Sequence, residues 1–466
     1  MVDSSDGLPQ PQRRLAVIAI ALASIMGTLD VNIANTALPA IARDLAVAPA
    51  TSIWIVNAYQ IASVATLFTF AALGQLYGPA RVYRIGVVVF IAASVVCALS
   101  HHFGLLLVGR VLQGLGSSAV FAITPALYRE VFPRAQLGRA LGINATIVAT
   151  STAAGPALGG FILAIASWPW IYAINIPFGI ANVVLNRTLP RDDRNAGRID
   201  VPSALASALG FALLISGLSS FARQGAGVIT ASSLVVGTLA FGWFVRRQTR
   251  LERPMLAVRM FRVPAFTLAG VTGFVAFAAQ ALAYVSLPYF FQRAFGATPL
   301  DSAFLMISWP IMLGLASPMA GRLADRFSPK LLATIGLGLL GCGLALYALL
   351  PARPALVQIV LAGAVCGIGF GLFKSPNDRE LMMNAPRELS SSASGVLAAV
   401  RSSGQAVGAA LVAIMFAAFG ASVAGREADA AIAPAAHAAL WLGCACAAAA
   451  MLASASRLRI RAPVTP

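Results

Sequence analysis

Charged residues are scarce in this chain of 466 residues, where they make up only 11% of the sequence. Hydrophobic residues make up 59%, and the mean hydropathy is +0.83. A water-soluble domain could not hide this much apolar surface in a single core. The composition therefore excludes a soluble protein and predicts a chain that lies in lipid.

Groups that carry enzyme chemistry are also few. The chain has three scattered histidines and five cysteines, and all the cysteines fall in apolar segments, so we predict neither a disulfide nor a metal site. A membrane-embedded enzyme or sensor would need clustered histidines, cysteines or carboxylates, or a sizeable soluble domain. No Gly-x-x-x-x-Gly-Lys sequence is present, so ATP is not the expected energy source and we expect no cofactor.

Long apolar runs dominate the sequence. A helix needs about 20 apolar residues to cross the roughly 30 Å hydrocarbon layer, and fourteen stretches qualify. They are too uniformly apolar for barrel strands, so the predicted class is an all-α polytopic membrane protein with 14 transmembrane helices. The predicted spans are approximately 15–38, 52–72, 83–100, 103–124, 140–165, 170–186, 203–222, 228–245, 264–287, 302–320, 331–350, 355–373, 393–418 and 434–455.

Acidic residues are outnumbered by basic ones, 16 against 33, which gives a formal charge of +17. If the amino terminus is cytoplasmic, 26 basic residues lie on cytoplasmic segments, 5 on outer loops and 2 inside spans. This partition follows the positive-inside rule and predicts that both termini lie in the cytoplasm. The membrane we expect is the bacterial inner membrane. The partition also explains the basic charge without nucleic-acid binding, which we do not expect.

A cytoplasmic loop recurs at an offset of 250 residues. Gly321-Arg-Leu-Ala-Asp325-Arg326 follows predicted span 10, and Ala71-Ala-Leu-Gly-Gln75-Leu76 follows span 2. If each copy follows the second span of a six-helix half, the architecture is six plus two plus six. The predicted domains are a cytoplasmic tail (1–14), an N-terminal half (15–186), a linker with inserted helices 7 and 8 (187–262), a C-terminal half (263–455) and a second tail (456–466).

Ionisable residues deep inside the predicted spans are rare, and on insertion scales each costs about 2.5–3.5 kcal/mol at a helix centre. Asp30 is the only acidic one, and we predict that it couples transport to protons, with a permanently paired structural carboxylate as the alternative. Arg110 heads a polar strip with Gln113, Gly114 and Ser117 on one face of span 4. Because arginine does not titrate, Arg110 could tune a neighbouring carboxylate, or it could simply anchor its helix by snorkelling.

Several segments resemble the major facilitator superfamily. Residues 321–330 resemble its signature loop, Arg110-x-x-x-Gly114 resembles its proton-relay motif, and Gly155-Pro156 followed by Gly159-Gly160 resembles the motif of its antiporters. The stretches Leu29 to Pro39, Trp170 to Pro177 and Pro254 to Arg262, with Trp54 and Tyr59, are similar to the fourteen-span drug:proton antiporters, which include quaternary-ammonium and methyl-viologen resistance exporters.

This resemblance implies the major facilitator fold, alternating access around a central cavity, and export of lipophilic, often cationic, small molecules in exchange for protons. In the family, the signature loop latches neighbouring helices on the cytoplasmic side. Gly321, Asp325 and Arg326 keep that pattern, whereas Gln75 and Leu76 replace the acid and the base in the first copy. A short, basic loop between packed helices is the simpler interpretation of the same residues. The candidates for cavity lining or proton relay are Asn32, Asn35, Tyr59, Gln113 and Arg401.

Two further expectations concern the C-terminal half. Arg401 lies about 13 Å along span 13 from its cytoplasmic end, where it either lines the cavity or snorkels. Lys374 and Asp378 are four residues apart, but Pro376 between them argues against a regular helix, so we expect an interfacial charge cluster. Export of one specific metabolite by the same machinery remains the alternative to drug efflux.

Overall fold

The computed structural model describes residues 7–133, 136–190, 200–224, 227–251, 254–324, 326–351, 354–385, 390–420 and 426–459. Long helices fill these ranges because the apolar runs satisfy their backbone hydrogen bonds internally. The helices are α1 (Gln12–Asp44), α2 (Pro49–Ser52), α3 (Trp54–Tyr77), α4 (Pro79–Ala98), α5 (Phe103–Val131), α6 (Leu137–Ile165), α7 (Trp170–Ala173), α8 (Asn175–Leu185), α9 (Val201–Gln224), α10 (Val228–Gln248), α11 (Pro264–Tyr289), α12 (Pro299–Met306), α13 (Ser308–Leu323), α14 (Pro329–Ala348), α15 (Leu356–Met383), α16 (Ser390–Ala418) and α17 (Arg426–Ser456).

Twelve helical segments in the described chain are long and apolar enough to cross a membrane. In this count α2 joins α3, α12 joins α13, and α11 continues through one π-helical turn to Ala294. Predicted spans 5 and 6 correspond to α6 and to the pair α7 and α8, which are helical but are not among the twelve. The prediction of an all-helical polytopic membrane protein is confirmed at this level.

The expected break at Pro376 is wrong. Helix α15 runs without interruption from Leu356 to Met383 and includes Pro376. It therefore ends ten residues beyond the predicted end of span 12 at residue 373. The continuing helix brings Lys374 and Asp378 into an ion pair at 3.1 Å across one turn. It also carries Glu380 to Arg457, where the two form a buried ion pair at 2.9 Å. These contacts stabilise the turn after the proline, so tertiary structure overrides the local preference.

Two sets of helices repeat the same packing pattern. In the first set (α1–α8), α4 and α3 pack on α5, and α1 packs on α6; in the second set (α11–α17), α14 and α13 pack on α15, and α11 packs on α16. Glycines permit the closest approaches in both. A Cβ added to Gly86 would lie 2.9 Å from the Gly116 carbonyl oxygen, and one added to Gly336 would lie 2.6 Å from that of Gly369. Gly86 and Gly336 are 250 residues apart, the offset of the repeated loop.

Helices α9 and α10, which we call the inserted pair, pack on each other between the two sets. Arg247 closes the pair by donating two hydrogen bonds to the Asp200 carboxylate at 2.8 and 2.9 Å. Helix α9 lies against α3 of the first set and α16 of the second. Asn57 of α3 donates a hydrogen bond to the Ser219 hydroxyl of α9 at 3.0 Å, which fixes the inserted pair to the first set.

The two sets are joined at the end of the bundle where α1 ends and α2 begins, which we call the Asp44 end. Here the Ser52 and Tyr289 hydroxyls share a buried hydrogen bond, and Gln292 donates to the Thr36 carbonyl oxygen at 3.0 Å. One apolar cluster surrounds these bonds and takes residues from both sets, among them Ile33, Ile41, Val56, Ile162, Val285, Val412 and Phe416. The two sets are therefore sealed together at this end.

Candidate functional site

The Asp30 carboxylate is the centre of a buried polar network in the first set. Asp30 lies in the middle of α1 and is only 2% exposed. Arg110 of α5 donates to its Oδ2 in a buried ion pair. Gln113 of α5 and Asn175 of α8 donate to its Oδ1 at 3.1 and 2.9 Å. Three donors from two helices, one of them charged, thus satisfy a carboxylate that would otherwise be very costly to bury.

Arg110 is fully buried and fixed on several sides. Its Nε donates to the Ile55 carbonyl oxygen at 3.0 Å, and its Nη1 donates to Gln113 Oε1 at 2.8 Å as well as to Asp30. The rings of Tyr59 and Tyr172 lie 4.5 and 5.5 Å from the guanidinium carbon, where their faces attract the positive charge. Snorkelling is therefore not the role of Arg110, because its head points into the protein.

Gln113 links this pair to the neighbouring helix α4. Its Nε2 donates to the Ser94 hydroxyl at 2.9 Å and also to Asp30. Its Oε1 accepts from Arg110 and from the Cys97 thiol, the latter at 3.4 Å. The Gln113 amide therefore contacts both members of the ion pair. A movement of either one would change the hydrogen bond between Gln113 and Ser94 of α4.

Tyr59 closes the network on the side of α3. Its hydroxyl donates to the Ser117 hydroxyl and lies 3.5 Å from the Gly27 carbonyl oxygen. The ring can reach Arg110 because α3 and α5 approach closely at Gly114, where an added Cβ would lie 2.8 Å from that of Ala62. The structure thus brings together four predicted site residues, Asp30, Tyr59, Arg110 and Gln113, from three helices.

The glycines of the predicted antiporter motif lie where α6 crosses its neighbours. A Cβ on Gly155 would clash with the Asn32 side chain of α1, and one on Gly159 would lie 3.3 Å from Ile33. Gly160 faces the second set instead, where an added Cβ would lie 2.6 Å from that of Ala303. Pro156 is accommodated inside the helix. The motif therefore sets how closely α6 packs on both α1 and α12.

Asn32 and Asn35 lie beside the network rather than in it. Asn32 is partly exposed and donates to the Thr28 carbonyl oxygen of its own helix at 2.7 Å. The Asn35 side-chain oxygen is buried and has no hydrogen-bond partner within the described ranges. Arg401 is separate from the network and lies on α16 with its guanidinium carbon 5.6 Å from the Phe121 ring.

The predicted latch is described only in part. Gln75 and Arg326 are exposed, at the end of the bundle opposite the Asp44 end. Gly321 faces Ser375 of α15, whose hydroxyl would lie 3.5 Å from an added Cβ. Asp325 lies outside the described residues, so the latch remains a prediction.

Sequence reasoning missed Asn175 and Ser94 as members of the site. Asn175 belongs to the Trp170 to Pro177 stretch that carries the family resemblance, but no role was predicted for it. One signal was available, because an amide in a strongly apolar span needs a polar partner. What the sequence could not supply was the identity of that partner, which lies 145 residues away.

Comparison with known families decides the relationship. The family model described as Major Facilitator Superfamily matches residues 20–409, and a second match covers 269–465. The chain belongs to the major facilitator superfamily. It is therefore a transporter and not an enzyme.

Relatives within this superfamily are similar over most of their length. The uncharacterized transporter YebQ of Escherichia coli (strain K12) is 45% identical over 419 residues, which cover 89% of this chain and 92% of YebQ. The riboflavin transporter RibZ of Clostridioides difficile (strain 630) is 29% identical, over 87% of this chain and 89% of RibZ. The tetracenomycin C resistance and export protein of Streptomyces glaucescens is 28% identical, over 88% of this chain and 76% of that protein.

A solved structure with a similar fold covers almost the whole chain. The bacterial homolog of the human lysosomal transporter Spinster, in an inward-facing and unoccupied conformation, superimposes with a TM-score of 0.71 at 15% sequence identity. The match covers 98% of this chain and 100% of the Spinster homolog. At this identity the likeness concerns the fold alone.

Proposed function

We propose that this major facilitator protein is a proton-coupled multidrug efflux antiporter with fourteen spans arranged six plus two plus six. It would lie in the bacterial inner membrane with both termini in the cytoplasm, as the charge distribution predicts. The observation that carries the proposal is the buried Asp30 carboxylate, held by Arg110, Gln113 and Asn175 at the junction of α1, α5 and α8. The proton gradient is the energy source, and no cofactor takes part.

Coupling follows from the unequal chemistry of the ion pair. Asp30 can take up a proton, whereas the Arg110 guanidinium keeps its charge throughout. Protonation of Asp30 removes one partner of a buried pair and leaves Arg110 as an uncompensated charge, which is strongly unfavourable. The helices that hold the pair must then move to give Arg110 new partners or solvent. Proton uptake therefore favours one arrangement of the first set and proton release favours the other.

Alternating access would begin from the state described above. The predicted orientation places the Asp44 end outside, so the seal at that end closes the outer side. In the outward-facing state the seal opens, and Gly321, Asp325, Arg326 and Gln75 would hold the cytoplasmic side closed. The antiporter-motif glycines allow α6 to slide on α1 and α12 during this exchange.

Several relatives support an exporter, including the tetracenomycin C resistance and export protein and the drug efflux pump JefA of Mycobacterium tuberculosis, which is 30% identical. The riboflavin transporter RibZ favours the second candidate, a transporter of one specific metabolite. Survival assays against biocides and dyes separate the two, because a dedicated metabolite exporter gives no protection. The expected cationic cargo has less support, since Asp30 is already paired with Arg110 and Asp378 with Lys374.

The test of coupling is the substitution Asp30→Asn. The substrate comes from a screen in cells that lack other pumps, and transport is measured in proteoliposomes with an imposed pH difference. We expect Asp30→Asn to abolish gradient-driven transport while the protein still inserts, because an amide accepts no proton at neutral pH. Asp44→Asn is the matched control, since it makes the same change on the same helix at an exposed position, and the amide oxygen can still accept the 2.6 Å hydrogen bond that Trp168 donates to Asp44.

Normal gradient-driven transport by Asp30→Asn would refute the coupling role. Transport by the unsubstituted protein that ignores the pH difference would refute the antiporter itself.

A further inference from the structure

Arg401 places a positive charge where the two helix sets face each other. It lies on α16 of the second set, and its guanidinium carbon is 5.6 Å from the ring of Phe121 on α5 of the first set. Arg401 is eleven residues from the start of α16, and Phe121 is ten residues from the end of α5. At 1.5 Å per residue both lie about 15 Å from the same end of the bundle. The guanidinium therefore stays at the depth of its own backbone and does not snorkel.

No carboxylate among the described residues lies within ion-pair distance of Arg401. Asp378 attracts Arg401 electrostatically but forms its ion pair with Lys374, and Asp30 is paired with Arg110. Tyr59 faces the same region and carries no charge as a phenol. The single negative charge of Asp378 thus faces two positive groups, Lys374 and Arg401, which leaves a net positive charge at this junction.

Aromatic and amide groups surround Arg401 on a defined surface. Phe121 is held in place by Gly27, where an added Cβ would lie 2.8 Å from the Phe121 ring. One turn beyond Arg401, Gln405 accepts a long hydrogen bond of 3.5 Å from Gln60 of the first set. A guanidinium lying over an aromatic face keeps the edge of its fork free for a planar acid. Arg401 is also partly exposed as a residue.

From this arrangement we infer that Arg401 binds the acidic group of the transported compound, and that the substrates are aromatic or planar anions rather than cations. The inference rests on the proposed function as an exporter and specifies its substrate class. A carboxylate would accept two parallel hydrogen bonds from the guanidinium, with the aromatic body of the compound against Phe121. A cation at the same place would be repelled by Arg401 and would find no free carboxylate among the described residues.

The test uses two dyes that share a xanthene ring and differ in charge, the anion 6-carboxyfluorescein and the cation rhodamine 6G. Their binding to the purified full-length protein is measured by fluorescence anisotropy at neutral pH. We expect the anion to bind at least about tenfold more tightly than the cation. Arg401→Gln should remove this preference, and Arg401→Lys should keep part of it because the charge remains. Arg246→Gln is the matched control, because Arg246 is exposed on the inserted pair.

Two results would overturn the inference: equal affinity of Arg401→Gln and the unsubstituted protein for 6-carboxyfluorescein, or tighter binding of rhodamine 6G. Failure of the anion to bind the unsubstituted protein also counts against it. Size-exclusion profiles of each variant exclude misfolding as the cause of lost binding. The dye binding is measured without a pH gradient, so a failed coupling test with Asp30→Asn leaves this inference standing, and a failed binding test with Arg401→Gln leaves the coupling role standing.

Discussion

At the scale of single residues, the ion pair of Asp30 and Arg110 is more than two opposite charges in contact. Asp30 accepts three hydrogen bonds, and Arg110 also donates to a backbone carbonyl and to Gln113. In an interior without water, removal of one partner leaves the other as an unpaired buried charge. The loss of either charge therefore destabilises the protein by more than the net stabilisation that the ion pair provides. The geometry of Arg110 therefore matters as much as its charge.

Arg110→Lys tests this dependence on geometry. Lysine keeps the charge but has a single ammonium group, which cannot reach Ile55, Asp30 and Gln113 at once. We expect gradient-driven transport to fall at least about tenfold and the melting temperature in detergent to drop, because at least one buried acceptor loses its donor at about 1–3 kcal/mol.

The control for this change is Arg246→Lys, which replaces an exposed arginine and should alter neither quantity. Full transport by Arg110→Lys would show that charge alone suffices.

The sequence predicted much of this network but not all of it. Asp30 and Arg110 stand out because charge is rare in apolar helices, and Gln113 follows from the helical face of Arg110. Asn175 and Ser94 could not be assigned, because their partners lie on other helices and only the tertiary fold determines which polar side chains meet. Asn32 and Asn35 were predicted as candidates for cavity lining or proton relay, yet they lie beside the network and not in it.

At the scale of helices, glycine determines how closely neighbours approach. Gly114 allows the backbone of α5 to lie against the Tyr59 carbonyl and Ala62 of α3, and this contact places the Tyr59 ring over Arg110. A methyl group at this position has no free space, so the helices would have to separate or the α3 backbone would have to shift.

Gly114→Ala is therefore expected to destabilise the protein by about 1–3 kcal/mol, the usual cost of overpacking. Thermal unfolding in detergent measures the stability, and transport should fall with it because Tyr59 moves away from Arg110. Gly242→Ala is the matched control, since an added Cβ meets nothing within 4 Å on α10. Equal melting temperatures for the two variants would contradict the packing role of Gly114.

Helices could be predicted from the sequence wherever an apolar run is long enough to cross a membrane. The wrong prediction at Pro376 shows that a helix end cannot be predicted from local sequence alone. A proline predicts a helix end from local geometry alone, whereas the pairs Lys374 with Asp378 and Glu380 with Arg457 stabilise the turn that follows it. Arg457 was predicted only as part of the second tail, residues 456–466. Its partner Glu380 is 77 residues away, which is beyond any periodic pattern in the sequence.

The two helix sets differ at the position of the ion pair. Arg110 is the eighth residue of α5, and Gly363 is the eighth residue of the corresponding helix α15. The space next to Gly363 is occupied by the hydroxyl groups of Ser308 and Tyr347. The second set therefore preserves the helix packing of the first set but has no charged residue at the position of Arg110. We expect proton coupling to be confined to the first set.

At the scale of the whole molecule, the proposed alternating access requires the seal at the Asp44 end to open. The seal joins the sets through Ser52 with Tyr289 and through Gln292 with the backbone of Thr36, inside a shared apolar cluster. Opening would expose this apolar surface to water, so the sealed state is stabilised until proton and substrate change the balance.

Cross-linking Ser52→Cys with Tyr289→Cys by a short, cleavable bifunctional methanethiosulfonate should arrest transport in proteoliposomes. The linker prevents the two sets from separating, and reduction should restore the rate. Ser203→Cys with Gln248→Cys is the control, because these two side chains form a 2.8 Å hydrogen bond within the inserted pair. Unchanged transport by the cross-linked seal pair would rule out opening at this end.

The position of the inserted pair has a consequence for lipid. Helix α9 is tied to the first set by the hydrogen bond from Asn57 to Ser219, while Ala206 of α9 shares an apolar cluster with Val396 of α16. The apolar contact between α9 and α16 can shift without breaking a hydrogen bond. The hydrogen bond between Asn57 and Ser219 would break if α9 shifted along α3. When the two sets move relative to each other, α9 should move with the first set and slide along α16. In that position it would keep lipid acyl chains from entering between the two sets.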